Sequence, residues 1–325
     1  MKNKNSRTDR RKFLTNSLKI GTVLAAGSGS VMAGKNSNHP NEEEKEKIKV
    51  LTTEGKVIEI DKPDDCKINP CEPPGPKEAR QGIPGRKFVY VVDLSKCANA
   101  RKCIEGCQKG HNLAPETEWL KVYLMKDNPE GSPYWFPRMC LHCDNPPCVK
   151  VCPVGATYKR QDNLVLIDNY RCIGCKFCIA ACPYSVRVFN WEKPPETDVP
   201  KEKYSPETSV PTQIGTVSKC DFCADLARKG TLPYCVRSCP MGALYFGDAN
   251  EDAVSNGTET LRFKQLIKDR SGYRYREELG TLPNTYYLPP VDRMFDYKDG
   301  LKNVPEEKRK IYDDIINSND KTYIQ

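Results

Sequence analysis

Cysteine occurs in this chain in runs whose spacing suits a metal cluster rather than a single ion. The most regular is Cys172-Ile-Gly-Cys175-Lys-Phe-Cys178-Ile-Ala-Ala-Cys182-Pro183, which is Cys-x2-Cys-x2-Cys-x3-Cys-Pro. Three thiolates with two residues between neighbours can wrap one cubane iron–sulfur cluster from a single tight loop. The fourth, placed after a short turn, points away and reaches a second cluster. Proline behind it removes an N–H donor and ends the turn. Such motifs therefore work in mutually completing pairs.

Three further groups follow the same plan: Cys97-x5-Cys103-x3-Cys107, Cys140-x2-Cys143-x4-Cys148-x3-Cys152-Pro153 and Cys220-x2-Cys223-x11-Cys235-x3-Cys239-Pro240. Together the four groups use fifteen of the seventeen cysteines. Zinc also takes Cys-x2-Cys pairs, but it needs two pairs per ion and not triplets trailed by Cys-Pro. Cysteines packed this densely are poor partners for disulfide geometry. His142 lies inside its cysteine pair and not after it, which excludes a haem attachment signature.

The intervening sequence predicts short strands and one-turn helices, an α+β fold whose core is largely the clusters themselves. Arg86–Asp93 reads as a strand entering the first group, and Gly242–Phe246 as one leaving the last. Thr157–Ile167 reads as strand, polar turn, strand. Helical spacing of apolar residues is expected over 259–268 and again over 305–316, the latter packing on its own domain, with docking to a partner as the alternative.

The N-terminus carries the paired arginines Arg10 and Arg11, followed by a weakly apolar stretch rich in Gly and Ser and by Val31-Met32-Ala33, a pattern of twin-arginine export with cleavage before Gly34. Export already folded suits clusters assembled in the reducing cytosol. Residues 1–33 hold seven Lys/Arg and one Asp, so the remainder has 44 Lys/Arg against 42 Asp/Glu, a net of +2 in place of +8. That balance gives no basis for a nucleic-acid partner. No other stretch has the length of apolar sequence a membrane span needs, and attachment to a membrane would come through partners in the periplasm. Residues 34–85, rich in Lys, Glu and Pro, read as an extension; Cys66 and Cys71 within it read most simply as a disulfide of the exported protein, with free or metal-binding thiols as the alternatives.

The segments Cys140-Leu-His-Cys-Asp-Asn-Pro-Pro-Cys-Val-Lys-Val-Cys-Pro-Val-Gly-Ala, Lys219-Cys-Asp-Phe-Cys and Cys239-Pro-Met-Gly-Ala-Leu-Tyr-Phe-Gly-Asp carry a family resemblance. With them the chain resembles the iron–sulfur electron-transfer subunits of dimethyl sulfoxide reductase and polysulfide reductase type complexes over roughly residues 86–290. The resemblance implies two nested ferredoxin-like modules. One spans 86–133 and 206–290; the other, 134–205, is inserted in it; 291–325 forms a tail. It also implies the ligand sets: Cys140, Cys143, Cys148 with Cys182; Cys172, Cys175, Cys178 with Cys152; Cys220, Cys223, Cys235 with Cys107; and Cys97, Cys103 with Cys239. The family has a further cysteine where this chain has Ala100. Three thiolates suffice for a three-iron centre, so three [4Fe–4S] clusters and one [3Fe–4S] cluster are expected. A cubane closed by another ligand, or no cluster, are the alternatives at that site.

No acid, base or nucleophile constellation stands outside the cysteines. His39, His111 and His142 are scattered in sequence, and Trp119, Trp135 and Trp191 are expected to pack near clusters or at an interface. Lys102, Arg171 and Lys176 either offset cluster charge or sit on a solvated face. The expected role is an electron relay between a polytopic quinone-reactive membrane subunit and a catalytic molybdopterin subunit or multihaem cytochrome. The alternatives are a self-sufficient oxidoreductase using the three-cysteine site and a scaffold in which clusters only hold the fold.

Overall fold

A computed structural model describes residues 47–51, 57–61, 74–128, 130–195, 204–207 and 212–317. Arg10, Arg11, the cleavage site, Cys66 and Cys71 lie outside the described residues. Strands β1 (Lys47–Leu51) and β2 (Val57–Asp61) pair antiparallel, Lys47 opposite Asp61, in a unit of their own.

In the second unit the organising strand is β3 (Phe88–Asp93), buried along its whole length. Its alternation serves two cores. Phe88, Tyr90 and Val92 face the large one, whereas Val89 and Val91 face a smaller one with Tyr245, Val254, Phe263 and Leu288. A strand covered on both faces reads as a nearly continuous apolar run, as Phe-Val-Tyr-Val-Val does. It pairs antiparallel with β10 (Leu244–Asp248), Leu244 opposite Val92, and parallel with β14 (Thr285–Leu288), Leu288 opposite Asp93. β11 (Ala253–Ser255), β12 (Thr260–Arg262) and β13 (Tyr273–Arg274) complete a six-stranded sheet of order β12-β11-β10-β3-β14-β13. Residues from both ends of the unit thus close one sheet. The hairpins β4 (Lys121–Met125) with β5 (Tyr134–Arg138) and β6 (Thr157–Lys159) with β7 (Val165–Ile167), and the pair β8 (Val188–Phe189) with β9 (Val217–Ser218), lie between them in sequence.

The helices are short. α1 (Pro76–Gln81), within the expected extension, is held to the unit: Arg80 stacks over Tyr158 and pairs with Asp168, and the Ala79 carbonyl accepts from Arg160. α2 (Lys102–Gly110), α3 (Pro147–Lys150), α4 (Phe177–Ala180), α5 (Ala224–Arg228) and α6 (Tyr234–Arg237) each follow or contain cysteines. α7 (Phe263–Asp269) is shorter than the helix expected over 259–268, because Thr260–Arg262 pair with β11 before the chain turns. α8 (Tyr297–Leu301) precedes α9 (Glu306–Asn317), which does pack on its own domain: Tyr312 is buried edge-on to Trp135 and donates to the Val122 carbonyl.

Close approach of α2 and α6 rests on glycine. A Cβ at Gly106 would strike the Ser238 side chain, and one at Gly110 the Tyr234 ring. These two helices carry Cys103, Cys107 and Cys235. Gly106→Leu should therefore push the helices apart and strip iron from the sites of the first and fourth groups, leaving that of the second and third in place. Iron and sulfide analysis with paramagnetic resonance of the purified variant checks this; full iron content would show that the contact is dispensable.

Candidate metal centres

All four cysteine groups wrap in the same way. Two residues after the first cysteine of each, the backbone turns left-handed: Asn99 (φ 51°), His142 (φ 43°), Gly174 (φ 68°) and Phe222 (φ 59°). Non-glycine residues rarely adopt this conformation, so its recurrence at one register position is a shared loop geometry. Cys143, Cys175 and Cys223 follow that residue, and in the first group Ala100 does. Arg101 (φ 55°) behind Ala100 also matches Lys176 (φ 64°) behind Cys175.

The loops then bring the groups together crosswise. One cavity is lined by Cys140, Cys143, Cys148 and Cys182. A second is lined by Cys152, Cys172, Cys175 and Cys178. A third is lined by Cys97, Cys103 and Cys239 with Ala100. Cys107, Cys220, Cys223 and Cys235 are all buried and close enough to act electrostatically on one another. In each case the last cysteine of one group stands with the leading cysteines of another: three in three of the sets, and two, Cys97 and Cys103, in the set with Ala100.

Burial dominates the chemistry of these thiols, since a thiolate loses hydration in an apolar wall. It pushes Cys97 and Cys143 up to about 12 and Cys235 to about 11. Left to themselves they would stay protonated at neutral pH. A coordinating metal reverses that, because a bound thiol is deprotonated outright. Sets of soft sulfur donors in largely apolar cavities fit iron–sulfur clusters and not hard cations.

Backbone and side-chain donors surround the sulfurs. Thr157 N–H donates to Cys152 at 3.4 Å, Val217 N–H to Cys172 at 3.5 Å and Ala243 N–H to Cys239 at 3.4 Å. Tyr90 Oη is 2.9 Å from Cys235 Sγ; burial first, and then Cys235 itself, raises the phenol so that it keeps its proton to donate. His111 Nε2 is 3.3 Å from Cys223 Sγ. Burial holds His111 down to about 4 and lifts the neighbouring Asp221 to about 7, so both shifts favour uncharged forms.

Two of the histidines scattered in sequence, His111 and His142, converge here, and His39 lies outside the described residues. His142 accepts from Val165 N–H at Nδ1, donates from Nε2 to the Cys220 carbonyl at 2.9 Å and stacks on Phe222 at 3.8 Å. It clasps the second group to the fourth. Trp119 is buried and donates to Ser218, Trp135 donates to the Tyr297 carbonyl, and Trp191 is exposed.

The cations named from sequence face outward. Lys102 pairs with Glu105, Arg171 with Asp168, and Lys176 lies over Trp191 and Phe189. Three cations are buried instead: Arg160, which is met by Asp162 and Glu207, and Arg187 and Lys219. Lys219 spends its ammonium on the Val165 and Cys220 carbonyls. The sequence signal of Arg187 and Lys219 is modest: a single Arg in the run Tyr184-Ser-Val-Arg-Val-Phe189, and a Lys immediately before Cys220.

A 4Fe-4S dicluster domain model matches residues 132–197 and 207–249. A selenate reductase subunit of Mesobacillus selenatarsenatis is 37% identical over 218 residues, 62% of this chain and 72% of that one. A putative dimethyl sulfoxide reductase iron-sulfur subunit of Halobacterium salinarum is 35% identical over 216 residues, 62% and 78% of the two chains. The iron-sulfur cluster-binding subunit of menaquinone reductase from Nitratidesulfovibrio vulgaris is 36% identical over 233 residues, 62% and 88%. With its crossed cysteine sets and these relatives, the chain belongs to the family of iron–sulfur electron-transfer subunits of dimethyl sulfoxide reductase-type oxidoreductase complexes.

Proposed function

We propose that the protein is an exported four-cluster relay, joining a quinone-reactive membrane subunit to a catalytic molybdopterin subunit or a multihaem cytochrome. The observation that carries this reading is the crosswise gathering of fifteen cysteines into four sets. Three sets of four would hold [4Fe–4S] clusters and the set of Cys97, Cys103 and Cys239 a [3Fe–4S] cluster. The sheet closed by β3, β10 and β14 supports an outer ferredoxin-like module, with residues 134–205 inserted as a second.

When bound, such clusters supply reversible one-electron uptake at potentials set by ligand type, charge, hydrogen bonds and solvent exposure. The chain's own residues do the rest. Cys182, Cys152, Cys107 and Cys239 cross from one group to another and fix the spacing of neighbouring sites. Leu141, Val186 and Val217 keep water away. Tyr90 and His111 donate toward sulfur. Among the described residues no helix is long and apolar enough to cross a membrane, which is in keeping with a partner that supplies the membrane contact. Arg10 and Arg11 support export, and an exported setting favours a Cys66–Cys71 disulfide.

Cys175 is the one exposed cysteine of the fifteen described. Ile173 and Phe177 beside it are 64% and 61% exposed, with Trp191 close by over Lys176. Apolar side chains around an accessible ligand suit an electron hand-off to a partner subunit. Ile173→Glu combined with Phe177→Glu should leave iron content unchanged while weakening recovery of the native complex at least about tenfold, the loss expected of hot-spot contacts. Affinity purification from native membranes, with reduction of the isolated protein as the control, tests it. A lone chain that is fully functional in native extracts would refute the relay.

A further inference from the structure

Arg187 is 5% exposed, yet among the described residues its guanidinium pairs with no carboxylate. Nη1 donates to Thr157 Oγ1 at 3.3 Å, and Nη2 has no hydrogen-bond partner. A buried, unmatched charge is strongly unfavourable, and one that persists must be met by opposite charge. Its surroundings supply this from two directions. Arg187 lines the cavity of Cys140, Cys143, Cys148 and Cys182. Thr157, which it holds, lines the cavity of Cys152, Cys172, Cys175 and Cys178. The guanidinium favours the thiolates of Cys148 and Cys178, one from each set. The other buried cation nearby, Lys219, has the same sign and cannot neutralise it.

We propose that Arg187 is the shared counter-ion of these two cysteine sets, one buried guanidinium that holds up the reduction potentials of both clusters. The inference rests on the reading that both sets hold clusters. A cubane with four thiolates is a net anion that gains a further negative charge on reduction, and net charge is one determinant of its potential. A fixed cation in a water-poor wall favours the reduced form of each neighbour. At the other two sites no buried guanidinium is left unpaired: Arg101 is paired with Glu118, Lys219 spends its ammonium on the Val165 and Cys220 carbonyls, and His111 and Asp221 stand beside Cys223.

The test is a redox titration of the purified full chain followed by electron paramagnetic resonance, with iron counted in parallel, for wild type, Arg187→Gln and Arg187→Lys. In Arg187→Gln two of the sites should become harder to reduce by about tenfold each, which is ~59 mV for a one-electron couple, while the others stay put. Arg187→Lys, keeping the charge, should lie nearer wild type. If Arg187→Gln fails to assemble the two clusters, assembly in Arg187→Lys supports the counter-ion. Loss in both variants would show that charge is not what matters and overturn it. Unchanged potentials in a fully loaded Arg187→Gln also overturn it. A wild-type chain without iron would instead refute the cluster reading itself.

Discussion

Ala100→Cys is expected to raise the iron content from about fifteen to about sixteen per chain, one corner added to a three-iron centre. The oxidised [3Fe–4S] signal in paramagnetic resonance should vanish with it, since oxidised cubanes of this type are silent. The backbone favours the conversion. Asn99 and Arg101 flank position 100 with left-handed turns, as Gly174 and Lys176 flank Cys175. The cavity there is no smaller than the two lined by four cysteines, each of the three enclosing about 20 Å³. An added thiolate brings negative charge, so the potential of that site should fall by at least ~59 mV, a tenfold change for one electron. Sixteen irons in the wild type, with no three-iron signal on oxidation, would mean that another group closes a cubane.

Arg160→Met should cost about 3–5 kcal/mol, the range for removing one partner from a buried ion pair. Arg160 binds Asp162 through Nε and Nη2 and Glu207 through Nη1, and all three side chains are essentially buried. Glu207 also accepts from Arg228 at 2.9 Å. The network ties α1, the β6–β7 turn and α5, so its loss strands the Asp162 carboxylate, leaves Glu207 to Arg228 alone and loosens the join between the second and fourth cysteine groups. The apparent thermal midpoint should drop by roughly 10 °C, at about 2–4 °C per kcal/mol for a unit of this size. A change under about 1 kcal/mol would show that water or a rearranged Arg228 takes over.

Much of this site was legible because cluster ligation is local. Triplets and Cys-Pro endings declare themselves in spacing, and the flanking strands at 88–93 and 244–248 follow from apolar runs bounded by turns. What stayed hidden depends on distant burial. Nothing in the spacing of His111 or His142 says that both end beside the Asp221-Phe222-Cys223 turn. Nothing in the run Tyr184–Phe189 marks Arg187 as a buried cation that lines the cavity of Cys140, Cys143, Cys148 and Cys182. Thr260–Arg262 read as the start of a helix because apolar spacing cannot reveal that a neighbouring strand competes for the same backbone.

The parallel pairing of β14 with β3 also sets a timetable. Cys140 to Cys182 are gathered within one short stretch of chain, whereas the sheet around the first and fourth groups is not closed until residue 288 has been made. At about 5–20 residues per second, the interval from Cys107 to β14 lasts roughly ten to forty seconds. For that time the earliest thiols wait without the partners that will shelter them. Oxygen or hydrogen peroxide reaching the nascent chain should therefore injure the outer pair first, while the inner pair has already closed.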